Sequence, residues 1–334
     1  MHRLKFALYT LTIVLTSLWV CLLIWVQQPF GAAVSYTLIL LWLVGAAVCI
    51  WSMKTQHSQR KYINWGYILA FLVAVVLFFN LTPRNDRVWR SENRELMNFH
   101  FVDGQVEINN VRNFIWKDDE HYVVQWDTRR YRLEDLHSLD LIISHFMEGP
   151  IAHVFISFGF KNDEYLSLSL EVREEQDEGF STIGGFFRQY ELALVVGDEN
   201  DLVYSRTNIR DEQVYIYPIK MQQTELQMLF LEYLNQANRL NNKPRWYNTL
   251  VSNCTTILFD FLEYVIGDIP RDYRVILPGL LPEYLYDYGQ LSSELTVEQW
   301  RERAFVNAKT AHLTVPPAEN NAFSKLIRQP TTQD

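Results

Sequence analysis

Three long apolar runs open the chain: Phe6–Val26, Gly31–Met53 and Tyr62–Leu81, of 21, 23 and 20 residues and without Asp, Glu, Lys, Arg or His. At 1.5 Å rise per residue each is about 30 Å long or more as a helix, enough to cross a bilayer core. The first is too long, and is followed by two more, to read as a cleaved signal peptide. Beyond them the period drops to two. Ala152–Phe160 (AHVFISFGF) and Tyr165–Arg173 (YLSLSLEVR) alternate as strands, and Lys161-Asn162-Asp163 between them has turn composition. Further strands are expected at Val111–Trp116, His121–Trp126, Arg130–Leu133, Tyr190–Val196, Leu202–Ser205 and Gln213–Ile219, while Leu139–Phe146 fits strand or helix. The period then becomes 3.6: Leu226, Leu229, Phe230, Tyr233, Leu234, Ala237 and Leu240 mark a helix opened by the Thr224/Gln227 capping pattern. A second helix runs from Asn253 to Val265 and a third from about Val297 to Lys309, capped by Thr296. Strands followed by helices predict an α+β domain with an antiparallel sheet.

Charge divides the chain at the same place. Residues 1–81 carry five basic residues (Arg3, Lys5, Lys54, Arg60, Lys61) and no acid; the remainder carries 25 Lys and Arg against 39 Asp and Glu, a net of −14. A domain so acidic repels phosphate backbones, which excludes nucleic acid as a partner. The expected organisation is a three-span anchor over 1–81, a juxtamembrane segment over 82–104, a folded domain over 105–315 and a flexible polar tail over 316–334. The basic residues flank the first span and fill the second loop, whereas the loop at 27–30 has none. This predicts a cytoplasmic N-terminus and an external C-terminal domain. Spans without ionisable residues read as an anchor rather than a channel or pump.

Of three cysteines, Cys21 and Cys49 fall in spans, and Cys254 stands alone in the soluble part. One cysteine makes neither a disulfide framework nor a zinc site, and no metal or cofactor is expected. Asn253 is a good N-cap and places Cys254 in the first turn of a helix, where backbone N–H groups favour a thiolate. The alternative is a thiol that only packs the helix start. Among the histidines, His153 opens the most apolar strand, where it is either a general base or a satisfied core residue. A turn of three residues pairs Phe160 with Glu164 and sets His153 opposite Glu171, the chosen orienting group, with Ser169 as fallback; a turn of even length would place Val172 there instead. Glu171 can equally be a solvated strand residue. The Cys254 N–H, with Asn248 or Tyr247, is the candidate oxyanion donor.

At these residues the chain resembles a known family. AHVFISFGF, YLSLSLEVR, Phe187-Arg188-Gln189-Tyr190-Glu191-Leu192, Tyr247-Asn248-Thr249-Leu250 and Asn253-Cys254-Thr255-Thr256 are similar, in this order, to the periplasmic domain of Lnb-type lipoprotein N-acyltransferases. The resemblance covers about Asn110–Tyr288. It implies a permuted papain-like (NlpC-type) thiol fold with the histidine strand before the cysteine helix, Cys254 as nucleophile and His153 as base. It also implies a place in the inner membrane with the domain in the periplasm, a membrane phospholipid as acyl donor and a lipoprotein N-terminus as acceptor. Arg112, Arg188 and Arg206 fall in family-like segments and either hold a phosphate or carboxylate or make structural ion pairs. In the family the membrane helices follow the periplasmic domain, whereas here three spans precede it, which leaves the acceptor open. A cysteine peptidase or amidase acting on cell-wall peptides, and a non-enzymatic anchored scaffold, are the competing readings.

Overall fold

A computed structural model describes residues 2–317 and 320–329. The described residues form two compact units, one within 2–84, 180–190 and 246–249, the other within 85–179, 191–245, 250–317 and 320–329.

The first unit is built on helices α1 (His2–Gln27), α2 (Ala32–Lys54) and α3 (Arg60–Asn80), all long and apolar enough to cross a membrane. Polar side chains pin them together. The Tyr67 hydroxyl lies 2.8 Å from Thr16 Oγ1 and 2.9 Å from Ser17 Oγ, and Tyr9 donates to Asn64 at 2.8 Å. Two later segments join this unit. One carries the short helix α4 (Thr182–Phe186). Gln27 Nε2 donates to the Phe187 carbonyl (2.7 Å), and Trp246 Nε1 to the Leu81 carbonyl (3.3 Å).

The second unit is α+β. Its strands are β1 (Asn98–Val102), β2 (Gln105–Arg112), β3 (Ile115–Trp116), β4 (Tyr122–Val123), β5 (Trp126–Tyr131), β6 (Leu136–His145), β7 (His153–Phe160), β8 (Glu164–Arg173), β9 (Glu191–Gly197) and β10 (Gln213–Ile219). The main sheet runs β1-β2-β9-β8-β7-β6-β10, with β5 on β2, and β3 pairs β4 separately. It is mixed rather than wholly antiparallel, because β2 and β9 meet in parallel at Arg112↔Gly197. Glycine permits this approach: a Cβ on Gly197 would lie 2.7 Å from the Arg112 carbonyl oxygen.

Helices cover both faces. On one, Phe230 of α6 (Gln223–Asn242) packs on Phe158 and Phe160, and Phe261 packs on Tyr233 of α6. On the other, Phe155, Ile142 and Val195 share a core with Leu202, Val203 and Tyr204 and with Phe323 and Ile327. Three expectations change here. Leu202–Ser205 is not a strand: it ends α5 (Glu199–Leu202) and enters a π-helical turn, Ser205–Ile209. The α6 capping box is Gln222 with Glu225, not Thr224 with Gln227. The polar tail contains a helix, Asn320–Arg328, whose Phe323 and Ile327 are fully buried. Their spacing of four puts both on one face, and the core beneath accepts them. The rest of the expected tail lies in part outside the described residues.

Candidate active site

The β7–β8 connection is the three residues Lys161–Asp163, with Asn162 and Asp163 at φ 71° and 58°. Left-handed backbone suits Asn and Asp in a tight turn. The pairs run from Phe160↔Glu164 to Ile156↔Leu168. Continued to the start of β7, this register sets His153 across from Glu171. The odd turn therefore brings His153, Ser169 and Glu171 to one face.

The cysteine helix, α7 (Cys254–Ile266), begins where its cap predicts. Asn253 Oδ1 accepts from Thr255 N (3.0 Å) and Thr256 N (2.9 Å), and Thr256 Oγ1 accepts from Asn253 N (3.0 Å). The cap serves these amides and not the Cys254 N–H, which stays at the positive end of the helix beside its own sulfur.

The sulfur and the His153 ring are hydrogen-bond partners, and the Val154 N–H and Thr255 hydroxyl also reach the sulfur. His153 Nε2 lies 2.8 Å from Ser169 Oγ and 3.3 Å from Glu171 Oε1. Ser169 Oγ donates to Glu171 Oε1 at 2.6 Å, so its oxygen is free to accept Nε2–H. Arg206 Nη2 donates to the same carboxylate oxygen at 2.7 Å. Both orienting candidates thus act together, Ser169 nearest the ring and Glu171 behind it.

The electrostatics follow from these contacts. Burial alone would lower the His153 pKa, but the Glu171 carboxylate, then Cys254, outweigh it and raise it to about 10. Burial would raise the Cys254 thiol, yet the facing imidazolium lowers it. Burial would likewise raise Glu171, but His153, Arg206 and the Ser169 bond hold it well below the usual carboxylate range. The two shifts reinforce each other: the charged ring favours the thiolate, and the thiolate favours the charged ring.

Residues 122–279 match the family model of the Lnb N-terminal periplasmic domain. The match spans His153, Ser169, Glu171, Arg206 and Cys254. No curated protein and no solved structure matches the chain. Three apolar helices followed by an Lnb-type periplasmic domain fit a membrane protein.

The remaining candidates make the following contacts. Arg112, outside the matched span, is a buried ion pair: its Nε and Nη2 donate to Asp201 at 2.9 and 2.8 Å, and Asp201 also accepts from Trp116 Nε1 and Phe114 N. Arg188 belongs to the helical unit. It donates to the carbonyls of Phe78, Phe79 and Leu81 and stacks on Phe78, so it caps the C-terminal end of α3. Asn248 and Tyr247 belong to that unit too, where Asn248 Nδ2 donates to the Gly185 carbonyl at 3.3 Å and the Tyr247 amide to the Tyr190 carbonyl at 2.9 Å. Arg206, expected either to hold a phosphate or carboxylate or to make a structural ion pair, pairs with Glu171. It lies in the π-turn, just past the segment expected as a strand, where no periodic signal names its partner.

Proposed function

We propose that this chain is a membrane-anchored cysteine acyltransferase with Cys254 as nucleophile and His153 as base. The observation that carries the reading is a thiol in the first turn of α7, hydrogen-bonded to an imidazole whose Nε2 is held by Ser169 and Glu171. The Lnb-type match points to a lipoprotein-modifying membrane enzyme, and a histidine strand that precedes the cysteine helix is what a permuted papain-like domain requires.

In this reading the Cys254 thiolate attacks the ester carbonyl carbon of a phospholipid. The Cys254 N–H at the start of α7 is the nearest backbone donor for the oxyanion. Collapse breaks the ester C–O bond, the His153 imidazolium gives its proton to the leaving alkoxide, and an acyl-thioester remains on Cys254. An amine, in our proposal the N-terminus of a lipoprotein, then attacks the thioester. His153 takes the amine proton, and the thiolate leaves as the amide forms. The anchor lies in the inner membrane with the N-terminus in the cytoplasm and the domain in the periplasm, which keeps the thiol near a lipid donor.

Mass spectrometry of the protein held in native membranes tests this. A fatty-acyl adduct on Cys254, absent from Cys254→Ala, is the expected result. A free thiol under turnover, with Cys254-dependent release of cell-wall peptides, would replace it with the peptidase reading.

A further inference from the structure

We propose that Arg206 is a positioning residue of the thiol site. It clamps the Glu171 carboxylate, and through Glu171 it holds Ser169 and the His153 ring toward Cys254.

Arg206 is itself fixed before it reaches the carboxylate. Its side chain is only 5% exposed, Nη1 donates to the Leu202 carbonyl at 2.7 Å, and the guanidinium lies over the Phe155 ring with 4.7 Å to the centroid. The same Phe155 ring stacks on His153, with centroids 5.7 Å apart. One planar fork therefore touches three parts of the structure: the backbone at the end of α5, the ring under the imidazole, and Glu171. The turn is π-helical, a geometry that recurs at functional sites because it re-aims a side chain.

The bonds form a chain. Arg206 and Ser169 both donate to Glu171 Oε1, and Nε2–H of His153 is then accepted by Ser169 Oγ. Without Arg206 the carboxylate loses one of its two shortest bonds and its nearest cation, and can rotate away from Ser169. The groups that face Glu171 are Arg206 from the π-turn, His153 from β7, Ser169 from its own strand and Glu174 just past it; Cys254 of α7 lies beyond the ring. Glu212 stands 3.9 Å from Arg206 on its other side. Of these only Arg206 is a permanent cation, so it is the group that keeps Glu171 ionised when the pH falls. Lysine at 206 would keep the charge and lose the fork.

The inference rests on the thiol reading of Cys254 but not on the acyl substrate. The test therefore uses the full-length protein in lipid nanodiscs and follows alkylation of Cys254 by iodoacetamide from about pH 4 to about pH 10. The Cys254 peptide is read by mass spectrometry, so that Cys21 and Cys49 do not contribute. R206Q is expected to move the acid limb of the rate profile up by roughly one pH unit. It should also slow alkylation at neutral pH about tenfold. R206K is expected to return the acid limb close to its wild-type place. In an E171Q background R206Q should add nothing, because its effect passes through the carboxylate. An unmoved acid limb, or losses that add in the double variant, would overturn the proposal. If R206Q does not fold, R206M with and without E171Q makes the same comparison: equal losses in both backgrounds overturn it, and a loss confined to the Glu171 background supports it. A shifted limb without any acyl adduct leaves the clamp standing and removes the acyltransferase; an adduct with an unmoved limb does the reverse.

Discussion

At the scale of single residues the site is a problem of where one proton rests. His153 carries a cation in a mostly buried place because Glu171 and the Cys254 sulfur flank it, and each of the three would be costly there alone. Two consequences can be measured. His153→Ala should slow acyl-adduct formation by about 10²–10⁴-fold, the usual worth of a positioned base, as followed by the rate of adduct appearance. The pair also links stability to pH. The His153 pKa is raised from 6.5 to about 10, so its contribution is whole below 6.5 and is lost as the pH climbs toward 10. Glu171 is depressed, so its contribution is present above the ordinary carboxylate range and is lost as the pH falls through its lowered value. Melting temperatures of wild type and His153→Gln should therefore converge as the pH rises from about 7 to about 10.

At the scale of elements, much was legible because it depends on period and caps. The β7–β8 hairpin follows from alternation and from Lys161-Asn162-Asp163, and of the two registers left open the odd turn is the one that meets Glu171. The start of α7 follows from Asn253. The C-terminal helix was not legible, because its nine residues carry only three large apolar side chains, Phe323, Leu326 and Ile327, and the polar sequence around them resembles a disordered tail. Its order comes from what lies beneath it. Arg328 donates to Asp140 at 2.7 and 3.0 Å and to Glu199 at 2.6 and 2.7 Å, and its guanidinium sits 3.4 Å from the Tyr165 ring centroid. Arg328→Ala leaves two buried carboxylates without their cation. It should cost about 3–5 kcal/mol in chemical denaturation, far above the cost of losing a surface ion pair.

At the scale of the whole molecule, the hydropathy boundary near residue 82 is not the boundary of the compact units. Segments 180–190 and 246–249 belong with the three helices, tied by Gln27 to Phe187, by Arg188 to the end of α3 and by Trp246 to Leu81. A chain lacking residues 1–84 strips these segments of their partners and bares Phe187, which is 6% exposed in the whole protein. We expect such a chain to aggregate where the full-length protein in detergent stays monodisperse, as size-exclusion chromatography would show.

The amino-acid sequence by itself determined the spans, the charge division, the hairpin and the α7 cap, and so made Cys254, His153 and Glu171 candidates, because hydropathy, period and capping are local properties of the chain. Tertiary structure alone decided the rest. Arg112 is spent on Asp201 and Arg188 on the α3 carbonyls, while Arg206, 35 residues from Glu171 in sequence, meets its carboxylate. An arginine in a sequence has a charge but no partner, and which acid it meets is set by strand order and by a π-turn with no periodic trace. The parallel β2–β9 junction and the docked C-terminal helix belong to the same class, since each depends on a surface that exists only once the sheet has formed.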